Sequence, residues 1–255
     1  MSQRGNILFL ILLAVVLFAA LSYAVTGSQR GSGKEGVADE KTDSIASEII
    51  NYTALLSNTV NRLKIGGCKD SELSFENSTF AGYTNSGTPA DGRCKVFSPT
   101  GGGMNTKVWD ATQLNESNVG KTFYGETLIT ASTCVYGQGT AIANDAATMS
   151  CWQQGDNSAL VAFVPYLDYT TCLAINKKIF GIAGVPTECN GLGVNRYQGS
   201  FPVGPKSALD FCTADGFPNT LLRYGMASGC ALMPGNANPS YLQNQYVFWQ
   251  TIYAH

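Results

Sequence analysis

The chain has little charge and almost no histidine. Asp, Glu, Lys and Arg make up 13% of its 255 residues, and the formal net charge is −2. That is about half the usual charged share. No basic stripe is present to neutralise phosphates, so composition gives no direct case for a nucleic-acid partner. The only histidine is His255. A Ser–His or Cys–His nucleophile therefore has no internal imidazole to draw on. CxxC and CxH spacings, which cluster ligands for zinc, are also missing. No repeat with a period of about 20–50 residues occurs, which excludes solenoids and propellers. Gly101-Gly102-Gly103-Met104 lacks the Lys and Ser/Thr of a phosphate loop and reads as a surface turn. Asp91, Glu126, Asp145 and Asp168 are scattered acids that would serve a carboxylate-dependent hydrolase only if two converged in a cleft. Ala143-Asn144-Asp145-Ala146 has too few oxygen ligands for a calcium loop and reads as a solvated turn. The expectation from these absences is a protein that is not an enzyme and needs no metal and no cofactor.

What is there begins with grease. Residues 7–25 are apolar apart from the mild Ser22 and Tyr23. As a helix rising 1.5 Å per residue the run would extend about 28 Å, close to the hydrocarbon thickness of a bilayer. Arg4 precedes it, and Arg30, Lys34, Glu35, Asp39 and Glu40 follow it. That weakly favours an N-inside membrane helix. Three fates fit: a signal peptide cleaved after Ala24, an uncleaved anchor, or a short polar leader, residues 1–5, that ends at Gly5 and is removed from a retained helix.

Residues 27–37 are Gly-rich and should break the helix. From there Ile45, Ile49, Tyr52, Leu56, Val60 and Leu63 recur in steps of three and four, the mark of one helix face. Acids near its start and Arg62 and Lys64 near its end suit the helix dipole, and Gly66-Gly67 stops it. The expected organisation is a leader at 1–5, an apolar helix at 6–26, a break at 27–37, an amphipathic helix at 38–65 and a globular head at 66–255, long enough to bury a core.

In the head, strands are expected at 122–130, 159–164 and 245–253, the last apolar on both faces and therefore central. A helix is expected over Tyr169–Phe180. All eight cysteines lie in the head, which points to four disulfides made in an oxidising compartment. Eight cysteines allow 105 pairings. Sequential pairing gives Cys68–Cys94, Cys134–Cys151, Cys172–Cys189 and Cys212–Cys230. Asn51-Tyr52-Thr53, Asn77-Ser78-Thr79 and Asn115-Glu116-Ser117 match the glycosylation acceptor pattern.

Arg4-Gly5-Asn6 running into Ile7-Leu8-Phe9-Leu10-Ile11-Leu12-Leu13 resembles the start of type IV pilin-like proteins of Gram-negative bacteria, in particular an alphaproteobacterial group. Ile65-Gly66-Gly67-Cys68-Lys69-Asp70, Ser74-Phe75-Glu76-Asn77, Gly82-Tyr83-Thr84-Asn85, the stretch from Cys94 to Gly103, Cys172-Leu173-Ala174-Ile175-Asn176 and the Tyr246-Val247-Phe248 ending look like stretches of the same group. The resemblance covers most of the chain in patches. It implies an α+β fold: a long N-terminal helix, apolar then amphipathic, carrying a disulfide-stapled antiparallel β head in a lollipop shape. It implies cleavage between Gly5 and Asn6, methylation of the new N-terminus, and polymerisation through a helix bearing Ile7, Leu10, Leu13, Leu17 and Leu21. The implied partners are further copies of the chain, the inner membrane before assembly, a prepilin peptidase, the pilus assembly machinery and a surface receptor. The implied destination is a cell-surface filament. Two positions depart from the pattern. Leu10 stands where such proteins carry Glu, and Asn6 where they carry Phe or Met. The Glu would neutralise a neighbour's buried amino group, which is otherwise costly. The alternative is a monomeric anchored or secreted binding domain that touches a glycan or protein through loops 81–105 and 231–240.

Overall fold

A computed structural model describes residues 4–30, 35–135, 159–188, 195–200, 207–209, 211–213, 227–235 and 239–254. The chain divides into two compact units, Met1–Ser44 and Ile45–His255.

Helix α1 spans Arg4–Arg30. No proline or charge interrupts 6–26, and its many Leu and Ala residues suit a helix interior. The helix contains Gly5 and Asn6 and continues through Gly27. Helix α2 spans Glu35–Ile65. Residues 27–30 and 35–37, expected in the break, are thus helical, and 31–34 lie outside the described residues. Among the described residues no helix is long and apolar enough to cross a membrane. The expectation of a transmembrane span therefore does not carry over to the described structure. On α1, side chains are described only at 9 and 11–23, about 22 Å of helix against a hydrocarbon layer of about 30 Å. The longer run at 7–25 remains a property of the sequence.

Within the second unit, α2 buries Ala46, Ile49, Thr53, Leu56, Val60 and Leu63. This face is turned slightly from the expected one, since Ile45 and Tyr52 are only partly buried. Thr53 can sit inside because its hydroxyl donates to the Ile49 carbonyl at 2.9 Å. Past Ile65, Cys68 N–H bonds to the Leu63 carbonyl and Gly67 N–H to that of Lys64. This is the Schellman pattern, and it needs the left-handed φ of +94° at Gly67.

The main sheet has the order β1-β3-β8-β7-β4-β6. Its strands are β1 (Leu128–Thr130), β3 (Ala159–Leu167), β4 (Thr187–Glu188), β6 (Phe211–Thr213), β7 (Ser228–Leu232) and β8 (Tyr246–Ala254). A separate pair joins β2 (Thr133–Val135) to β5 (Ser207–Leu209). Four strands, β1-β3-β8-β7, pair antiparallel as expected. The all-antiparallel expectation fails beyond them: β4 runs parallel to β7, and β2 parallel to β5. Strand β8 is internal, with Phe248 and Ile252 on one face and Val247 and Trp249 on the other, all buried. Leu160, Ala162 and Ile252 share a core with Leu56, Val60 and Leu63 of α2, while Val161, Phe163, Val247 and Trp249 enter a different cluster. Period-two alternation with both sides apolar thus built a doubly covered sheet.

Of the expected strand at 122–130 only Leu128–Thr130 forms. Phe123 at φ +66° and Gly125 at φ +82° take left-handed conformations that a ladder cannot contain. Strand β3 runs three residues past its expected end. It tolerates Pro165, which has no N–H, because the register with β8 shifts between Val164 and Leu167. Helix α3 spans Tyr169–Phe180, as its pattern foretold.

The Cys68–Cys94 disulfide forms as expected. Cys172, by contrast, pairs with Cys230, at a Cα separation of 5.3 Å. The expected Cys172–Cys189 and Cys212–Cys230 bonds are therefore wrong. Short loops favour sequential pairing, but α3 packs on β7 and carries Cys172 to Cys230 across 58 residues. Buried Asn176 locks the same contact: it donates to the Gly184 and Cys230 carbonyls and accepts from Cys230 N–H, each at 2.8 Å. Cys134–Cys151 lies outside the described residues.

Candidate functional site

Two features are candidates for function. The first is α1. Of its expected assembly residues, Leu13, Leu17 and Leu21 are 47%, 59% and 69% exposed. The side chains of Ile7 and Leu10, like the cleavage pair Gly5 and Asn6, are outside what is described, although their backbone is helical. Phe9, Ile11, Leu12, Val15, Val16, Phe18 and Tyr23 are also exposed. These positions surround the axis, so no polar face remains to meet water. A helix of that kind normally ends up in a core or in lipid.

The second feature is an ionic network at the edge of the sheet. Glu126 is 1% exposed. Its Oε1 accepts from the Tyr83 hydroxyl at 2.6 Å and from Arg196 Nε at 2.9 Å, and its Oε2 from Arg196 Nη2 at 2.6 Å. The Tyr83 oxygen in turn accepts from Ile129 N–H at 3.0 Å. The guanidinium lies 4.6 Å from the centre of the Phe123 ring and 5.7 Å from that of Tyr83. Burial, followed by the Glu126 charge, pushes the Tyr83 phenol well up, which keeps it a donor. The hydrogen bonds that Arg196 donates to Glu126 raise its already high pKa.

Residues 195–198 run along the outer side of β1. Tyr197 N–H bonds to the Ile129 carbonyl at 2.9 Å, and Gln198 Nε2 donates to the Gly82 carbonyl at 3.0 Å. Both outward-facing backbone groups of Ile129 are therefore occupied, one by Tyr83 and one by Tyr197, and this edge offers no free ladder at Ile129. Beside this strap an open cleft of about 270 Å³ is lined by Ser132, Asn195, Arg196, Gln198 and Ser200, with Ala131 and Tyr197 behind them.

The other sequence candidates scatter. Asp91 is exposed and pairs with Arg93, Asp168 is exposed at the start of α3, and Asp145 and the 143–146 turn lie outside the described residues. The four acids thus make no pair among the described residues, and Glu126 is tied up by Arg196. Loop 81–105 is part core and part surface, with Tyr83, Cys94, Val96 and Met104 buried and Ala81, Thr84, Ser86, Arg93 and Asn105 exposed, and the described part of 231–240 buries Ala231 and Met233. Gly101-Gly102-Gly103 is not a plain surface turn. A Cβ at Gly102 would lie 2.2 Å from the Val96 carbonyl oxygen and 2.6 Å from Thr59, so the glycine is there for close packing on α2. The acceptor-like triplets at Asn77 and Asn115 have a local explanation: their side-chain oxygens accept from Thr79 and Phe80 N–H and from Ser117 N–H respectively, as turn-capping Asn residues do. The Arg196 strap was not picked out from sequence. Its one signal was an arginine beside a tyrosine and a glutamine in a stretch poor in charge.

Comparison of the chain with protein-family profiles, curated proteins and solved structures finds no match.

Proposed function

We propose that this protein is a structural subunit of an extracellular filament of type IV pilus kind, assembled by packing its N-terminal helices together, with the membrane holding the subunit beforehand. One observation carries the reading: ten large apolar side chains between Phe9 and Tyr23 are exposed around α1. Burying each would release about 2 kcal/mol, on the order of 20 kcal/mol as an upper bound for the helix. A surface of that size demands an apolar surrounding, and neighbouring copies supply one outside the cell. The disulfides and the double-sided core of the second unit suit exposure to an oxidising, unprotected setting. In this reading the head has no catalytic task.

The test is direct. Sheared surface material from cells making the protein should contain filaments that pellet, and Leu13→Lys should abolish them. A charge at the centre of an apolar helix is opposed by about 3 kcal/mol in lipid and by at least as much in a dry helical bundle. Intact filaments with Leu13→Lys would sink helix-core assembly. Protein that is released but never pellets would favour the second reading, a monomeric anchored or secreted binding domain, for which the cleft beside Arg196 is the supporting observation.

A further inference from the structure

We propose that the cleft beside Arg196 binds a neutral sugar unit, a hexose or N-acetylhexosamine. This inference is independent of polymerisation. Three separate observations converge on the place. First, the Tyr83–Glu126–Arg196 network puts a carboxylate that is 1% exposed under a guanidinium whose side chain is 30% exposed. Buried ion pairs rarely stabilise a fold better than apolar packing would, so this one is better understood as fixing a geometry. What it fixes is the plane of Arg196, clamped through Nε and Nη2 by Glu126.

Second, the guanidinium is flanked by aromatic rings, with the centre of Phe123 at 4.6 Å and that of Tyr83 at 5.7 Å, and Phe123 holds its ring there from a left-handed φ of +66°. Third, the cleft is open and polar, with hydroxyls from Ser132 and Ser200 and amides from Asn195 and Gln198 along its wall.

The ligand class follows from the charge and size of the site. The carboxylate of Glu126 already neutralises Arg196, so the site has no net positive charge with which to hold a phosphate, sulfate or uronate. Amides and hydroxyls offer both donors and acceptors, which suits an array of ligand hydroxyls. A cleft of 270 Å³ is many times the roughly 10–15 Å³ that a single water needs on the same measure, room for a polyhydroxy ring and not just for a lone ion or water. The remaining N–H groups of a clamped guanidinium are directional donors that lose little freedom when a ligand arrives.

The experiment is saturation-transfer NMR on the full chain in a detergent without a sugar headgroup. The probes are lactose and chitobiose, with 3′-sialyllactose and glucuronate as anionic comparators. Transfer to a neutral probe is expected. It should weaken roughly tenfold in affinity in Asn195→Ala, about one lost hydrogen bond, and vanish in Ser132→Trp, which fills the cleft. Both variants should melt with the wild type. Absence of transfer to both neutral probes, preference for the anionic ones, or undiminished binding by a folded Ser132→Trp would each overturn the assignment.

Discussion

Replacing Arg196 by Met tests the most unusual element of the head. The carboxylate of Glu126 would be left 1% exposed with the Tyr83 hydroxyl as its remaining side-chain donor. Breaking a buried pair from one side costs about 3–5 kcal/mol. The arginine end is 30% exposed, so water reaches part of the network and the lower end, about 3 kcal/mol, is expected. Glu126→Leu strands the other partner, but a guanidinium near the surface can turn to solvent, and about 1–2 kcal/mol should be lost. In the double variant both charges are gone and apolar groups fill their volume. What remains is a Tyr83 hydroxyl deprived of its acceptor, worth about 1 kcal/mol. The cycle therefore predicts a coupling of about 3 kcal/mol, with the double variant more stable than Arg196→Met alone. Urea unfolding of the oxidised chain, followed by fluorescence of the buried Trp109 and Trp249, would read it. With a slope of about 2 kcal/mol/M, the Arg196→Met midpoint should fall by roughly 1.5 M at unchanged slope. A loss below about 1 kcal/mol for Arg196→Met, or a double variant as weak as the sum of the singles, would refute the claim that this carboxylate is held in place by its partner.

Two further outcomes follow from the same structure. Burial pushes the phenols of Tyr52 and Tyr166 up to about 12, and those of Tyr83 and Tyr197 also rise. Their folded values lie above the unfolded value near 10, so the linked stability is complete below about pH 10 and is lost as pH climbs through the folded values. Each such group contributes a slope of up to about −1.4 kcal/mol per pH unit between about 10 and 12. A tyrosinate absorbance titration should show a late-ionising set among the twelve tyrosines; uniform titration near 10 with the fold intact would contradict the burial. Peptide mapping without reduction should recover Cys68–Cys94 and Cys172–Cys230, and removing the second bond, which closes 58 residues, should cost about 4 kcal/mol.

The sequence by itself determined the features that depend on near neighbours. Twelve residues of α3 were readable, as were the Gly66-Gly67 stop and the doubly apolar β8, because each is written in a period of 3.6 or 2 within one segment. The apolar run at the N-terminus was equally plain. Tertiary structure decided everything that joins distant segments. Sequence ranked disulfides by loop length, but α3 packing on β7 put Cys172 against Cys230. It gave Glu126 no more weight than Asp91 or Asp168, because nothing local reveals that Tyr83, 43 residues earlier, and Arg196, 70 residues later, meet there. It marked 122–130 as one strand, since β-branched and aromatic residues say nothing about the left-handed turn at Phe123 that the Arg196 contact accompanies. Periodicity reports which side of an element is apolar; which partner covers that side is a property of the folded chain alone.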